Sequence, residues 1–153
     1  MTALTIPALS LPAMTPRQLD TMHEYEAALL ERPQADIPTA HMIHAGMYAR
    51  TIMIPAGVEI SGALMRIPTA LIVSGHARVN TGDDVVTLKG YGVLPGSAGR
   101  KQAFLALEDT FLTMLFPTRA KTVAEAEAEF TDQHELLLSR QQPQLQTITI
   151  TGE

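Results

Sequence analysis

Cysteine is absent from the 153 residues, which excludes disulfides, thiolate nucleophiles and cysteine-based zinc sites together. Any metal would have to be held by His, Asp and Glu. Tryptophan is also absent and aromatic residues make up only 5% of the chain, leaving little with which to stack bases or sugars. Positive charge is scarce: eleven Lys and Arg against sixteen Asp and Glu give a net charge of −5, and only Arg100-Lys101 sit together. Binding to a phosphate backbone depends on clustered cations, so no nucleic-acid partner is expected. No apolar run reaches the roughly 18 residues needed to cross a bilayer, so no membrane association is expected. The N-terminal MTALTIPALSLPAM lacks a basic leader and is interrupted by Pro7 and Pro12, which predicts no secretory signal and folding in a cytoplasm.

What remains is a chain that is 46% hydrophobic and 18% charged, the composition of one soluble globular domain with a substantial core. Residues 1–14 predict an extended arm, since the two prolines block regular pairing while the Leu, Ile and Met between them call for cover. Thr15-Pro16-Arg17-Gln18 has the form of a capping box with proline at the first helical position, predicting a helix over about 16–31 with Leu19, Met22, Leu29 and Leu30 on its apolar side. From about 47 to 117 the pattern changes to short runs of Ile, Val, Leu and Thr, and the barrel is expected over about 41–117. Strands are predicted near 47–54, 58–65, 69–74, 76–80, 84–88, 91–94, 102–107 and 109–115, with turns at Pro55-Ala56-Gly57 and Thr81-Gly82-Asp83-Asp84. Many short strands at this spacing imply a β-sandwich or small barrel. Thr122 and Glu125 then predict a helix or broken helix over about 122–139. Residues 140–153 predict a polar linker, QQPQLQ, and a detached terminal strand, TITIT. The domain proper is therefore 15–139.

Several blocks in order carry a family resemblance: His41, GMYART (46–51), IPAG (54–57), Gly62, Ser74-Gly75, GRKQAF (99–104) and ALEDTFLTM (106–114). Together, from His41 to Thr118, they resemble small cupin-like, double-stranded β-helix proteins, in particular a group found in phage and prophage genomes. The resemblance implies a mainly β, jelly-roll barrel flanked by the N-terminal and C-terminal helices. Metal-binding cupins carry an HxH pair and a Glu after the first Gly-bounded turn, with another His on a later strand. Here the corresponding segment, residues 62–69, has no histidine, and the ligand positions the resemblance implies fall on Met65, Ile67 or Thr69. No cofactor is expected.

His41, His44 and His76 form the alternative metal set, with Glu59 a further donor; the local sequence places His41 and His44 on a loop entering a strand, with His41 near the barrel mouth. His23 and His134 are expected on helix surfaces. Arg50 lies in a β-run and needs a carboxylate if buried, with Glu59, Glu108 and Asp109 as candidate partners. Glu108-Asp109 point to opposite faces if extended, so a turn with Asp109 accepting from backbone amides is expected instead. Arg100-Lys101 is expected in a solvated loop. Ser74 and Ser97 lack a His-and-acid signal for a nucleophile. The eight methionines are expected as core filler.

Two function classes follow. The first is a non-enzymatic assembly protein, a homo-oligomer binding itself and other structural proteins through the N-terminal arm and the C-terminal strand. With the phage resemblance it becomes a capsid decoration or tail or portal accessory, found in the host cytoplasm during synthesis and then in the virion. The alternative is a small-molecule-binding or metal-free isomerase-type cupin using the barrel mouth, with His41, Tyr48, Arg50, Glu59 and His76 as its polar set and a tyrosine (Tyr48 or Tyr91) as acid. An interior filled by Ile52, Ile54, Leu64, Ile72, Val86 and Leu105 would leave no room for a ligand; an open, polar-lined cavity would favour the alternative.

Overall fold

Thr15 caps the first helix as its sequence predicts: its hydroxyl accepts from Gln18 N at 3.2 Å while Gln18 Oε1 accepts from Thr15 N at 2.8 Å. The structure, a computed structural model, describes residues 9–153; residues 1–8, most of the expected arm, lie outside the described residues. This helix, α1 (Pro16–Leu30), buries only Met22 completely, and Leu30 stays 65% exposed, so it lies across the barrel rather than inside it.

Among the described residues eight strands form one curled sheet: β1 (Thr39–His44), β2 (Met47–Ile54), β3 (Glu59–Ser61), β4 (Thr69–Asn80), β5 (Val85–Gly96), β6 (Ala103–Ala106), β7 (Thr110–Pro117) and β8 (Gln146–Ile150). The order is β3-β6-β4-β7-β2-β1-β8, with β5 paired to the other edge of β4. Alternate residues of each strand point to the concave side. Leu71 and Val73 of β4, Ile52 and Ile54 of β2, Leu112 and Met114 of β7 and Phe104 and Ala106 of β6 meet there. Of the six residues expected to fill the interior, Ile52, Ile54 and Val86 do so; Ile72 and Leu105 are outside this core, because the register of β4 and β6 turns Leu71 and Phe104 inward instead, and Leu64 lies outside it in the segment between β3 and β4.

Three boundaries differ from those expected. First, His41 and His44 are not on a loop. They belong to β1, which turns into β2 through Ala45 (φ 53°) and Gly46 (φ 71°), a two-residue hairpin with both residues left-handed. Alanine in that conformation is what hid the turn. Second, the expected pairs 69–74/76–80 and 84–88/91–94 are single twelve-residue strands that run through the facing glycines Gly75 and Gly90. Gly75 (φ 145°) marks where β4 exchanges β7 for β6 as partner, and a Cβ there would sit 2.7 Å from Thr110 Cα. Third, of the helix or broken helix expected over about 122–139 the broken form is present, and its first segment stops early. The second helix, α2 (Val123–Phe130), is capped by Thr122 as expected, but Thr131 is extended and buried, and the chain continues through short turns and α3 (Leu138–Gln141).

The segment QQPQLQ is no linker. Gln142 is buried, its Oε1 accepting from Ile37 N at 3.0 Å and its Nε2 donating to Ala35 O at 2.9 Å. These bonds deliver the TITIT strand to its own sheet: β8 pairs in parallel with β1, so it is an edge strand of this chain and not a detached one. The described part of the arm also stays home. Leu11 is buried, bonded to Pro95 O and Ser97 N at 2.9 Å, and packs in the core. Among the described residues no helix is long and apolar enough to cross a membrane.

Candidate functional site

The concave side of the sheet is not completely filled. Between it, α1 and the C-terminal turns lies a cavity of about 620 Å³. Its floor is apolar, from Ile52, Leu71, Phe104, Leu112 and Met114, and its charged lining comes from Glu26, Arg32, Arg50, Glu59, Arg100 and Lys101.

Tyr48 and Arg50 share the concave face of β2, as period-two counting requires, but their environments differ. Tyr48 is fully buried, sandwiched near Phe130 (ring centroids 6.4 Å apart) and edge-on to Phe116 (5.4 Å). Its hydroxyl meets His41 Nδ1 at 2.7 Å, and His41 Nε2 meets Gln146 Oε1 at 2.6 Å. The proton positions follow from the end of this chain. Gln146 Nε2 donates to the Ser139 carbonyl, which turns Oε1 toward His41; Nε2 of the imidazole is then the donor and Nδ1 accepts from Tyr48. Burial, helped by the charge of Arg50, holds His41 below the usual imidazole range, consistent with this neutral tautomer. Burial likewise raises the Tyr48 phenol. Neither residue lines the cavity: the histidine and tyrosine are a satisfied, sealed network.

Arg50 does line the cavity, but its carboxylate is none of those expected. It donates to Glu127 Oε2 of α2 at 3.2 Å and to the Ser139 hydroxyl at 3.0 Å, and Glu127 takes a second cation, Arg140, at 2.9 Å. Glu127 is 2% exposed, so it is the charged centre that ties α2 and α3 to the sheet. Glu108 and Asp109 are far from it in role: they occupy the exposed turn before β7, where Asp109 Oδ1 accepts from Ala56 N at 2.9 Å as expected. Glu59 sits at the cavity rim, bonded to the Tyr25 hydroxyl and 3.9 Å from Arg32. Burial and that carboxylate push the Tyr25 phenol up to about 12.

His76 lies on the opposite, convex side, between the buried positions Val73 and Ala77, so it meets neither His41 nor Glu59. His44, at the end of β1, bonds the Thr151 hydroxyl at 2.7 Å. The set His41, His44 and His76 is thus not brought together, and among the described residues no three His, Asp or Glu side chains converge as metal ligands would. Of the polar set His41, Tyr48, Arg50, Glu59 and His76, only Arg50 and Glu59 face the cavity.

The expected solvated loop at Arg100-Lys101 is the largest correction. Residues 99–102 pair with 62–65 (Met65 N to Arg100 O 2.9 Å, Gly62 N to Gln102 O 2.8 Å), and this pairing carries both cations inside, 3% and 2% exposed. Lys101 Nζ reaches Glu26 Oε2 and the Gly62 carbonyl, both at 2.7 Å, and Ser61 donates to the same carboxylate at 2.8 Å. The Arg100 guanidinium packs on Gly96, where a Cβ would lie 2.5 Å from Cζ. Glu26, Glu127, Ser139 and Gln146 were not singled out by sequence because each acts across a separation of many residues. The short GRKQAF block was the one available signal for Arg100 and Lys101.

No protein-family model matches the chain, and no curated protein matches it. Solved structures do. Ectoine synthase from P. lautus is 14% identical, with 64% of this chain and 75% of that chain covered and a TM-score of 0.50. A cupin-superfamily protein from Desulfitobacterium hafniense DCB-2 is 16% identical, covering 74% of this chain and 99% of that one, TM-score 0.47. A cupin 2 conserved barrel domain protein from Leptotrichia buccalis is 14% identical, covering 65% and 50%, TM-score 0.48. Such distant likeness shows the fold alone: a cupin-like barrel with helices at its N- and C-terminal ends.

Proposed function

We propose that this chain is a non-enzymatic binding protein whose barrel cavity holds one small organic ligand. The observation that carries this is the cavity itself: about 620 Å³, apolar over its floor, with a few charged side chains at fixed positions. Ligand pockets have this size, roughly 300–1,000 Å³, and this composition. The histidine–tyrosine pair that an isomerase-type reaction would use is spent on Gln146 and sealed under Phe130, which supports binding over proton transfer. Native mass spectrometry of protein purified without denaturation tests this. A one-to-one small-molecule adduct, lost when Leu112→Trp fills the cavity while the fold persists, is the expected result; an adduct untouched by the tryptophan would refute it.

A second reading, self-assembly, is favoured by the convex face. Across β5, β4, β7, β2 and β1 its central residues are uncharged, and Met42 (36% exposed), Tyr91 (73%), Val93 (58%) and Phe111 (50%) lie open. Such a face is complementary to itself, with Arg78, Lys89 and Glu108 as a charged rim, so the occupant proposed is a second copy related by a two-fold axis. The expected roles of the N-terminal arm and C-terminal strand in binding partners stand beside this as proposals, the strand through the open edge of β8. The virion role, decoration or tail or portal accessory, rests on the sequence blocks that resemble phage proteins. Light scattering tests the face: a dimer that Val93→Glu turns to monomer supports it, and a monomer at micromolar concentration refutes it.

A further inference from the structure

The six charged side chains that line the cavity do not balance. Lys101 pairs with Glu26 at 2.7 Å, Arg32 stands 3.9 Å from Glu59, and Arg50 pairs with Glu127 at 3.2 Å. Arg100 has no carboxylate among the described residues, and residues 1–8 contain no Asp or Glu that could supply one. Yet it is only 3% exposed. Its terminal nitrogens donate to neutral oxygens, Nη1 to the Ser97 carbonyl at 2.5 Å and Nη2 to the Thr69 hydroxyl at 2.8 Å, and its Nε has no acceptor among the described residues. Two residues on, Gln102 is 5% exposed, lines the same cavity, and its Nε2 also has no acceptor among the described residues. An uncompensated buried cation and a buried N–H each cost free energy that nothing among the described residues offsets. Burial is also what brings the Arg100 guanidinium down to about 10.

We propose that the cavity ligand is a small monocarboxylic acid, its carboxylate held by Arg100 with the Gln102 amide and its apolar body lying along Ile52, Leu71, Phe104 and Leu112. This rests on the reading of the cavity as a ligand site and names the class of ligand. One unpaired cation calls for one negative charge, and the apolar floor calls for a hydrocarbon body. Inorganic phosphate has no hydrocarbon body to lie on that floor, so it would make the charged contact alone. Arginine suits the carboxylate because its planar fork matches the two oxygens.

The test uses calorimetric titration of the full chain with hexanoate, its neutral analogue hexanamide, and inorganic phosphate. Hexanoate is expected to bind about tenfold or more tighter than hexanamide, the factor a charge-assisted bond supplies. Phosphate should not displace it. Arg100→Gln is expected to remove that preference, lowering hexanoate affinity about tenfold more than hexanamide affinity, and Gln102→Leu to weaken hexanoate by a smaller factor. Equal binding of hexanoate and hexanamide to the native chain would overturn the acid assignment and leave the cavity reading standing, whatever the variants do. Phosphate binding as tightly as hexanoate would also overturn it. Binding of neither hexanoate nor hexanamide would overturn both.

Discussion

Replacing Glu127 by Gln keeps the shape of the side chain and removes the charge on which two arginines converge. Glu127 is 3% exposed at its side chain and Arg50 12%, so Arg50 would be left as a buried cation supported only by neutral groups: the amide oxygen of the new side chain, the Ser139 hydroxyl and the Phe130 ring. Breaking a buried pair from one side costs about 3–5 kcal/mol. The low end applies here, about 3 kcal/mol, because Arg50 keeps neutral oxygen partners and Arg140, 30% exposed, can turn to water at a cost below about 1 kcal/mol. For a domain of this length that loss lowers the thermal midpoint by roughly 6–12 °C. Urea unfolding followed by circular dichroism measures it. The double variant Arg50→Met/Glu127→Leu removes both charges and is expected to recover at least about 2 kcal/mol relative to the sum of the single changes. A loss under about 1 kcal/mol for Glu127→Gln, or strict additivity in the double variant, would refute the view that Arg50 is a brace between sheet and helix.

Gly75→Ala places a methyl group against Thr110 backbone at a left-handed position and should cost about 2–4 kcal/mol by chemical denaturation; a neutral result would show that β4 does not need its close approach to β7. The His41 imidazole is held below its ordinary 6.5, so the unfolded chain takes up a proton first: its contribution to stability is present above about pH 6.5 and is lost as pH falls below it. The drop in urea midpoint between about pH 7.5 and pH 5 should therefore be smaller in His41→Gln than in the native chain, and an identical drop would contradict the neutral tautomer. Leu11→Ala should cost about 2–4 kcal/mol, read from the same unfolding curves, because this residue of the arm fills the core beside Leu71 and Leu94.

Local chemistry was legible in the sequence wherever neighbouring residues decide the structure. The Thr15–Gln18 box, the Thr122 cap and the turn at 81–84 are local bonds between residues a few positions apart, and each is where its residue types require. The curled sheet was legible from strand spacing and from the resemblance together. What spacing hides is partnership at a distance. Arg50 announces the need for a carboxylate, but Glu127 lies 77 residues away on another element. Gln146 and His41 are 105 residues apart, and QQPQLQ looks like a linker until its amides are seen bonding Ala35, Ile37 and His41. Arg100 and Lys101 sit among glycines, the composition of a solvated corner, and only their pairing with residues 62–65 turns them inward.

The most direct check of the cavity as a ligand site is a methyl NMR titration with hexanoate, using assigned Ile, Leu, Val and Met signals. Ile52, Leu71, Leu112 and Met114, on the cavity floor, are expected to shift together and saturate at one equivalent, while Met42 and Val93 on the convex face stay still. Shifts confined to the convex face, or none at the cavity floor at saturating ligand, would contradict the account.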